Sequence, residues 1–293
     1  MRPAALTEPV SDATPAVPVV EAGDARIPSL GLGTWQNTGS QCTETVETAL
    51  ELGYRHLDTA QMYDNEAEVG AGLAAADVAR EDVFLTTKVW RSNLRHDDVH
   101  ESVRESLDDL GVEYVDLLLV HWPHPRVPVA EPLEAMAELR DAGLVRHLGV
   151  ANFTREGLDA ARRAVDVPLV TDQVLYHPYV DRTDLLDYCR GHDVALTAYS
   201  PLARGGVLDD EVLAAVGEAH GKSAAQVALR WLVQQDGVVA IPKATGPEHL
   251  RENLAVFDFS LADAEMARLD AIEPGLLRRV KNQFPAVMRR VPF

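Results

Sequence analysis

The sequence predicts an α/β fold, a closed (β/α)8 barrel of the TIM type, and three observations predict it. Eight short apolar runs follow one another along the 293-residue chain. Segments with helical periodicity separate them, with no linker or shift of composition between units. The ionisable residues Asp58, Lys88 and His121 fall at the ends of the second, third and fourth runs. That is where a parallel barrel gathers its chemistry.

The elements follow in order. Residues 1–16, rich in Pro and acid and without an apolar stretch, read as a disordered leader and not a signal peptide. Residues 17–293 then form a single barrel domain. Residues 17–27, VPVVEAGDARI, read as an N-terminal β-hairpin turning at Gly23–Asp24. The eight barrel runs are SLGLGTW, RHLDTA, VFLTTKV, VDLLLVHW, VRHLGVAN, LVTDQVLY, VALTAYS and VVAIPKA. They lack clean alternation, as expected of parallel strands buried on both faces. The clearest helix is Asp97–Leu110, with Val99, Val103, Leu107 and Leu110 on one face. Asp97 is placed to cap it and Gly111 to stop it. Gly53, Gly143 and Gly191 punctuate three other units, and Thr154 caps the helix after the fifth strand. Two extra helices are expected near 223–235 and 261–270. An open doubly wound sheet would need G-x-G-x-x-G after its first strand. Gly31 and Gly33 supply two of those glycines, but Gln36 stands in the third position.

Composition excludes several function classes. The 46 acidic and 27 basic residues leave a net charge of −19. Protein surfaces that bind nucleic acid or anionic membranes carry the opposite sign. No apolar run reaches the ~18 residues of a membrane span. Cys42 and Cys189 match no metal or redox spacing and read as buried free thiols in a reducing cytoplasm. Of the 27 basic residues only Lys88, Lys222, Lys243 and Lys281 are lysines. An acidic, lysine-poor surface is suited to high salt, where screening removes self-repulsion.

That scarcity makes Lys88 informative, because Arg does not replace a compact ammonium that tunes a neighbour. Asp58 and Tyr63 in HLDTAQMYDN, Lys88 in FLTTKVW and His121 in LLLVHWP together can deliver a proton to a carbonyl oxygen. A free tyrosine has a pKa near 10, and an adjacent ammonium is expected to lower it. Asp58 would hold Lys88, and His121 would orient the carbonyl. Taken singly, each residue has an ordinary structural role: a loop tyrosine, a turn aspartate, a snorkelling lysine, a satisfied buried histidine. Their joint placement favours catalysis. His121 and His124 lack the partners of a metal site, so no metal is expected. Trp35, Trp90 and Trp122 follow the first, third and fourth runs and would give the substrate an apolar wall.

These segments resemble the aldo-keto reductase family over nearly the whole chain from about residue 17. The resemblance is carried by GLGTW (31–35), GYRHLDTAQMYDNEAEVG (53–70), TTKVW (86–90), VDLLLVHWP (115–123), GVANF (149–153), DQVLYHPY (172–179), AYSPLARGG (198–206) and IPKATGPEHLREN (241–253). The chain looks most similar to 2,5-diketo-D-gluconate reductase-like prokaryotic members, which reduce small aldehydes and ketones such as methylglyoxal. The resemblance implies NADPH, with NADH possible, lying across the strand ends, and Tyr63 as general acid. It implies that Asn152 and Gln173 hold the nicotinamide amide, where Ala151 replaces the usual Ser, and that Tyr199 stacks on the ring. Ser200 and Leu202 would lie along the pyrophosphate. Lys243 and His249 would face the 2′-phosphate region, although Ala244 and Gly246 lack the usual hydroxyls there. Glu252 and Asn253 would meet the adenine. A small carbonyl substrate and a monomer are the implied partner and state. Two alternatives remain: a nucleotide sensor or auxiliary subunit without turnover, and a barrel isomerase or aldolase with Lys88 as Schiff-base nucleophile.

Overall fold

The computed structural model describes residues 17–273. The predicted leader and the basic C-terminal stretch, LLRRVKNQFPAVMRRVPF, lie outside the described residues. The hairpin is present as β1 (Val19–Ala22) and β2 (Ala25–Pro28), paired antiparallel. Gly23 takes a φ of 56° at its turn, which glycine adopts without a Cβ penalty. The hairpin plugs the end of the barrel where the strands begin. Ala22, Ala25 and Ile27 pack against Phe84, Leu117 and Val239 inside it. The turn is tied down by polar contacts. Asp24 Oδ1 lies 2.9 Å from His147 Nδ1, and the Gly23 N–H donates to Asp193 Oδ2 at 3.0 Å.

The barrel proper then alternates. Its strands and helices run β3 (Leu32–Gly33), α1 (Gly39–Glu51), β4 (His56–Asp58), α2 (Glu66–Ala75), β5 (Phe84–Val89) and α3 (His96–Leu110). They continue as β6 (Val115–Val120), α4 (Ala130–Asp141), β7 (Val145–Ala151), α5 (Arg155–Ala164), β8 (Leu169–Leu175) and α6 (Thr183–Arg190). The last unit is β9 (Ala195–Tyr199), α7 (Glu211–His220), α8 (Ala224–Val233), β10 (Val238–Ile241) and α9 (Pro247–Leu254), followed by α10 (Asp263–Asp270). Every predicted run contains its strand. Each strand from β3 to β10 pairs in parallel with the next. The seam closes through Ser29–Gly33. Gly31 N–H donates to Ala240 O at 2.9 Å, Ala240 N–H to Ser29 O at 2.8 Å, and Gly33 N–H to Pro242 O at 3.1 Å. A Cβ on Gly33 would stand 2.8 Å from the Ile241 carbonyl oxygen, so the seam needs glycine there.

Burial explains the missing alternation: β5, β6 and β8 are buried at every position, one face against helices and one inside the barrel. Thr154 caps α5 as expected, accepting from Gly157 N–H at 3.2 Å. Gly111 and Gly143 are left-handed at 64° and 79°, and Gly53 also has positive φ. Three expectations need correction. Asp97 does not cap α3. The helix begins one residue earlier, so Asp97 lies in its first turn beside His96. Gly191 ends α6 in a right-handed conformation with a direct bond to Asp187 O, so no glycine geometry is required. The helix near 223–235 is not the extra one. α8 packs on β10 as the barrel helix, and α7, lying on α8 and α10, is the addition. Burial pushes the Cys42 and Cys189 thiols up to about 11 and about 12, so both are inert core groups.

Candidate active site

Three consecutive strands and one loop bring the four ionisable residues together. Asp58 is the last residue of β4, Lys88 lies near the end of β5, and His121 directly follows β6. Tyr63 sits on a single 3-10 turn, Gln61–Tyr63, closed by Asp64 in the left-handed region. That turn is anchored on both sides. Asn65 donates to Thr34 O at 2.9 Å and Asn37 O at 2.8 Å. Gln61 donates to Ser102 O at 3.2 Å and accepts from Trp90 N–H at 2.9 Å.

The Lys88 ammonium is the hub. It is 0 % exposed and donates to Asp58 Oδ1 at 2.6 Å, Thr59 O at 2.8 Å and Tyr63 Oη at 3.3 Å. All three of its N–H bonds are thereby used. Burial works against the charge, but Asp58 and Tyr63 outweigh it and hold the Lys88 pKa above the ordinary lysine value. For Tyr63 the expectation of a lowered pKa is overturned. Burial is the largest influence and raises it, and the Lys88 ammonium only partly offsets that rise. The phenol therefore stays protonated at neutral pH. His121 is buried at 5 % exposure, its ring meeting those of Tyr63 and Trp90 edge-on at 5.7 and 5.1 Å. Burial, and then Lys88, push its pKa well below the usual histidine value. It is a neutral imidazole, and its Nδ1 is buried without a hydrogen-bond partner.

Asp58, Tyr63 and His121 line a pocket of about 210 Å³ at the strand ends. Trp35, Trp90 and Trp122 line it as expected, joined by Met62, which is 41 % exposed. Asn152, Gln173, Tyr199, Ser200 and Lys243 line it too. Two of these have roles the sequence did not reveal. Gln173 Nε2 donates to Asp58 Oδ2 at 2.6 Å, so it positions the ion pair from the opposite side. Asn152, left-handed at φ 66°, donates to His121 O at 3.0 Å and accepts from Tyr199 Oη at 2.9 Å. Arg204 also lines the pocket, its guanidinium 5.2 Å from the Trp35 ring centroid.

The remaining expected cofactor residues stand apart from the pocket lining. Leu202 packs partly buried on the main core. His249 and Glu252 are exposed on α9, while the buried Asn253 side chain bonds the Tyr54 hydroxyl. Ala151 is buried in the barrel interior. Lys243, by contrast one of the lining residues, is exposed, with Nζ donating to Gln36 O at 2.9 Å.

Comparison with known proteins agrees with this geometry. The model of the aldo/keto reductase family matches residues 29–274. Glyoxal reductase of Bacillus subtilis is 38% identical over 247 residues, covering 84% of this chain and 89% of the relative. Methylglyoxal reductase DkgB of Salmonella typhi is 41% identical over 242 residues, covering 82% and 90%. A solved structure provisionally assigned as a 2,5-diketo-D-gluconic acid reductase B superposes with a TM-score of 0.87 at 46% identity, over 89% of this chain and 92% of that one. An aldo-keto reductase of Bombyx mori in complex with NADP superposes with a TM-score of 0.81 at 32% identity, over 87% and 92%. The closed barrel, the buried Asp58–Lys88–Tyr63 chain and the matched family model lead to one conclusion: the chain belongs to the aldo/keto reductase family.

Proposed function

We propose that this oxidoreductase reduces small aldehydes or ketones to alcohols with NADPH, or with NADH, and that Tyr63 is its general acid. One observation carries the reading: the buried Lys88 ammonium is held between Asp58 and Tyr63, which line the pocket. A phenol that burial keeps protonated is a proton reservoir at neutral pH. When its proton passes to the carbonyl oxygen, the phenolate left behind lies beside a cation whose own charge Asp58 secures. Neutral His121 has one N–H to offer the same oxygen and adds no competing acid.

The pocket residues fit a nicotinamide dinucleotide. Tyr199 offers an aromatic face next to the carboxamides of Asn152 and Gln173. Ser200, Ala203 and Arg204 all have positive φ, at 49°, 50° and 54°. Such clustering of unusual backbone accompanies ligand-binding loops. Lys243 and Arg204 supply cations for phosphate on an otherwise acidic protein. Leu202, His249, Glu252 and Asn253 remain proposed contacts for the rest of the dinucleotide. When bound, the nicotinamide supplies the hydride. The tryptophan wall suits small, weakly polar carbonyl compounds such as methylglyoxal. The sensor reading leaves the buried Lys88–Tyr63 contact without a task. The Schiff-base reading needs a neutral lysine, and Lys88 is held charged.

The test is cofactor oxidation with methylglyoxal and simple aldehydes, using NADPH and NADH in parallel, for the wild type and Tyr63→Phe. The variant is expected to lose about 10²–10⁴-fold in turnover while still quenching its tryptophans on binding cofactor. Retained turnover would remove Tyr63 from its role. Binding without turnover in the wild type would favour the sensor.

A further inference from the structure

We propose that α3 and α4 carry a surface site for a divalent transition metal of the zinc class, built from His96, His100 and Glu138. Two histidines four residues apart on a helix project from the same face, one turn above the other. Here their ring centroids are 4.9 Å apart. Glu138 reaches across from α4 and meets both. Its Oε1 lies 3.3 Å from His96 Nε2, and its Oε2 lies 2.9 Å from His100 Nε2. One ligand atom from each residue lies within 4.8 Å of the other two. Ligands at zinc bond lengths of about 2.0–2.2 Å stand roughly 3.4 Å apart in a tetrahedron. Small rotations of side chains that are partly exposed close the remaining gap.

A second observation points to a metal. His96 Nδ1 lies 3.0 Å from Asp97 Oδ1. A carboxylate on Nδ1 orients the ring and keeps the Nδ1 proton, as outer-shell partners of metal-bound histidines do, so that an ion entering between His96 and Glu138 displaces only the Nε2 proton now shared with Glu138 Oε1. The donor set decides the ion class. Two imidazoles and one carboxylate, with a position left for water, suit Zn²⁺, whereas Mg²⁺ and Ca²⁺ take oxygen ligands. None of the three residues lines the catalytic pocket. The bound ion would staple α3 to α4, the helices that follow the strand bearing Lys88 and the strand leading to His121. It would stabilise the fold, because the ligands meet only in the native chain.

The experiment is titration of the untagged, metal-free full chain with Zn²⁺ against a chromophoric chelator, with Co²⁺ absorbance as a second readout and thermal melts in parallel. One equivalent is expected to bind, to give tetrahedral cobalt bands and to raise the melting temperature. His100→Gln and Glu138→Gln should each remove that equivalent and its thermal shift. Asp97→Asn should weaken binding about 10–100-fold. Glu134→Gln, an exposed carboxylate on the same helix, should change nothing. No binding by the wild type overturns the proposal, as does a full equivalent retained in His100→Gln and Glu138→Gln.

Discussion

A single ammonium organises the site. Lys88 has no exposed surface, and its three N–H bonds go to a carboxylate, a carbonyl and a phenol. That the four residues meet was legible from strand ends and from the rarity of lysine. The sign of the Tyr63 shift was not, because it depends on how deeply the ring is buried, which no spacing reveals. Gln173, read as a cofactor ligand, also grips the second oxygen of Asp58, which the sequence did not reveal. The His96–His100 pair passed unnoticed in the sequence because its third partner comes from another helix. The raised Tyr63 pKa has a consequence for rate. In the general-acid role proposed for Tyr63 the phenol must be protonated to act, so activity is lost only as pH rises through the folded-state pKa, which lies above the ordinary 10.0. The kcat/KM for reduction is therefore expected to stay level across neutral pH and to fall only in strong base. A profile that falls with a midpoint near neutrality, with the Tyr63→Phe residual rate subtracted, would contradict this.

At the scale of elements, close approach decides which residues are tolerated. Gly70 on α2 sits where a Cβ would fall onto the Leu110 carbonyl at the end of α3. Backbone cannot rotate away as a side chain can. Gly70→Ala must therefore separate the two helices, and α2 follows directly on the loop bearing Tyr63. We expect a loss of about 1–3 kcal/mol in denaturant unfolding. By contrast, Thr154→Ala removes one capping bond from an exposed helix end and should cost about 1 kcal/mol. A Gly70→Ala cost no larger than that of Thr154→Ala would show that α2 and α3 give way readily. Strand positions were read correctly because a short apolar run is a local signal. Asp97 was misjudged as a cap because helix starts are set by one residue's backbone, and α7 and α8 were exchanged in role because packing order is not local.

For the whole molecule, charge is the dominant surface property. A net charge of −19 repels itself at low ionic strength, and screening shortens from roughly 10 Å at 0.1 M salt to about 3 Å at 1 M. The melting temperature is expected to rise as KCl increases through that range. A flat or falling response would reject the high-salt reading of the surface. Among the described residues no helix is long and apolar enough to cross a membrane. The sequence by itself determined the closed barrel, the hairpin, the order of units and the strand ends at which Asp58, Lys88 and His121 meet. Those follow from periodicity and from what strand ends present, both properties of short stretches of chain. Only the tertiary structure decided that the hairpin plugs the barrel floor, that burial outweighs Lys88 at Tyr63, that Gln173 serves Asp58, and that Glu138 meets two histidines. Each of these depends on distances between elements far apart in the chain, which closure of the barrel sets and local pattern does not encode.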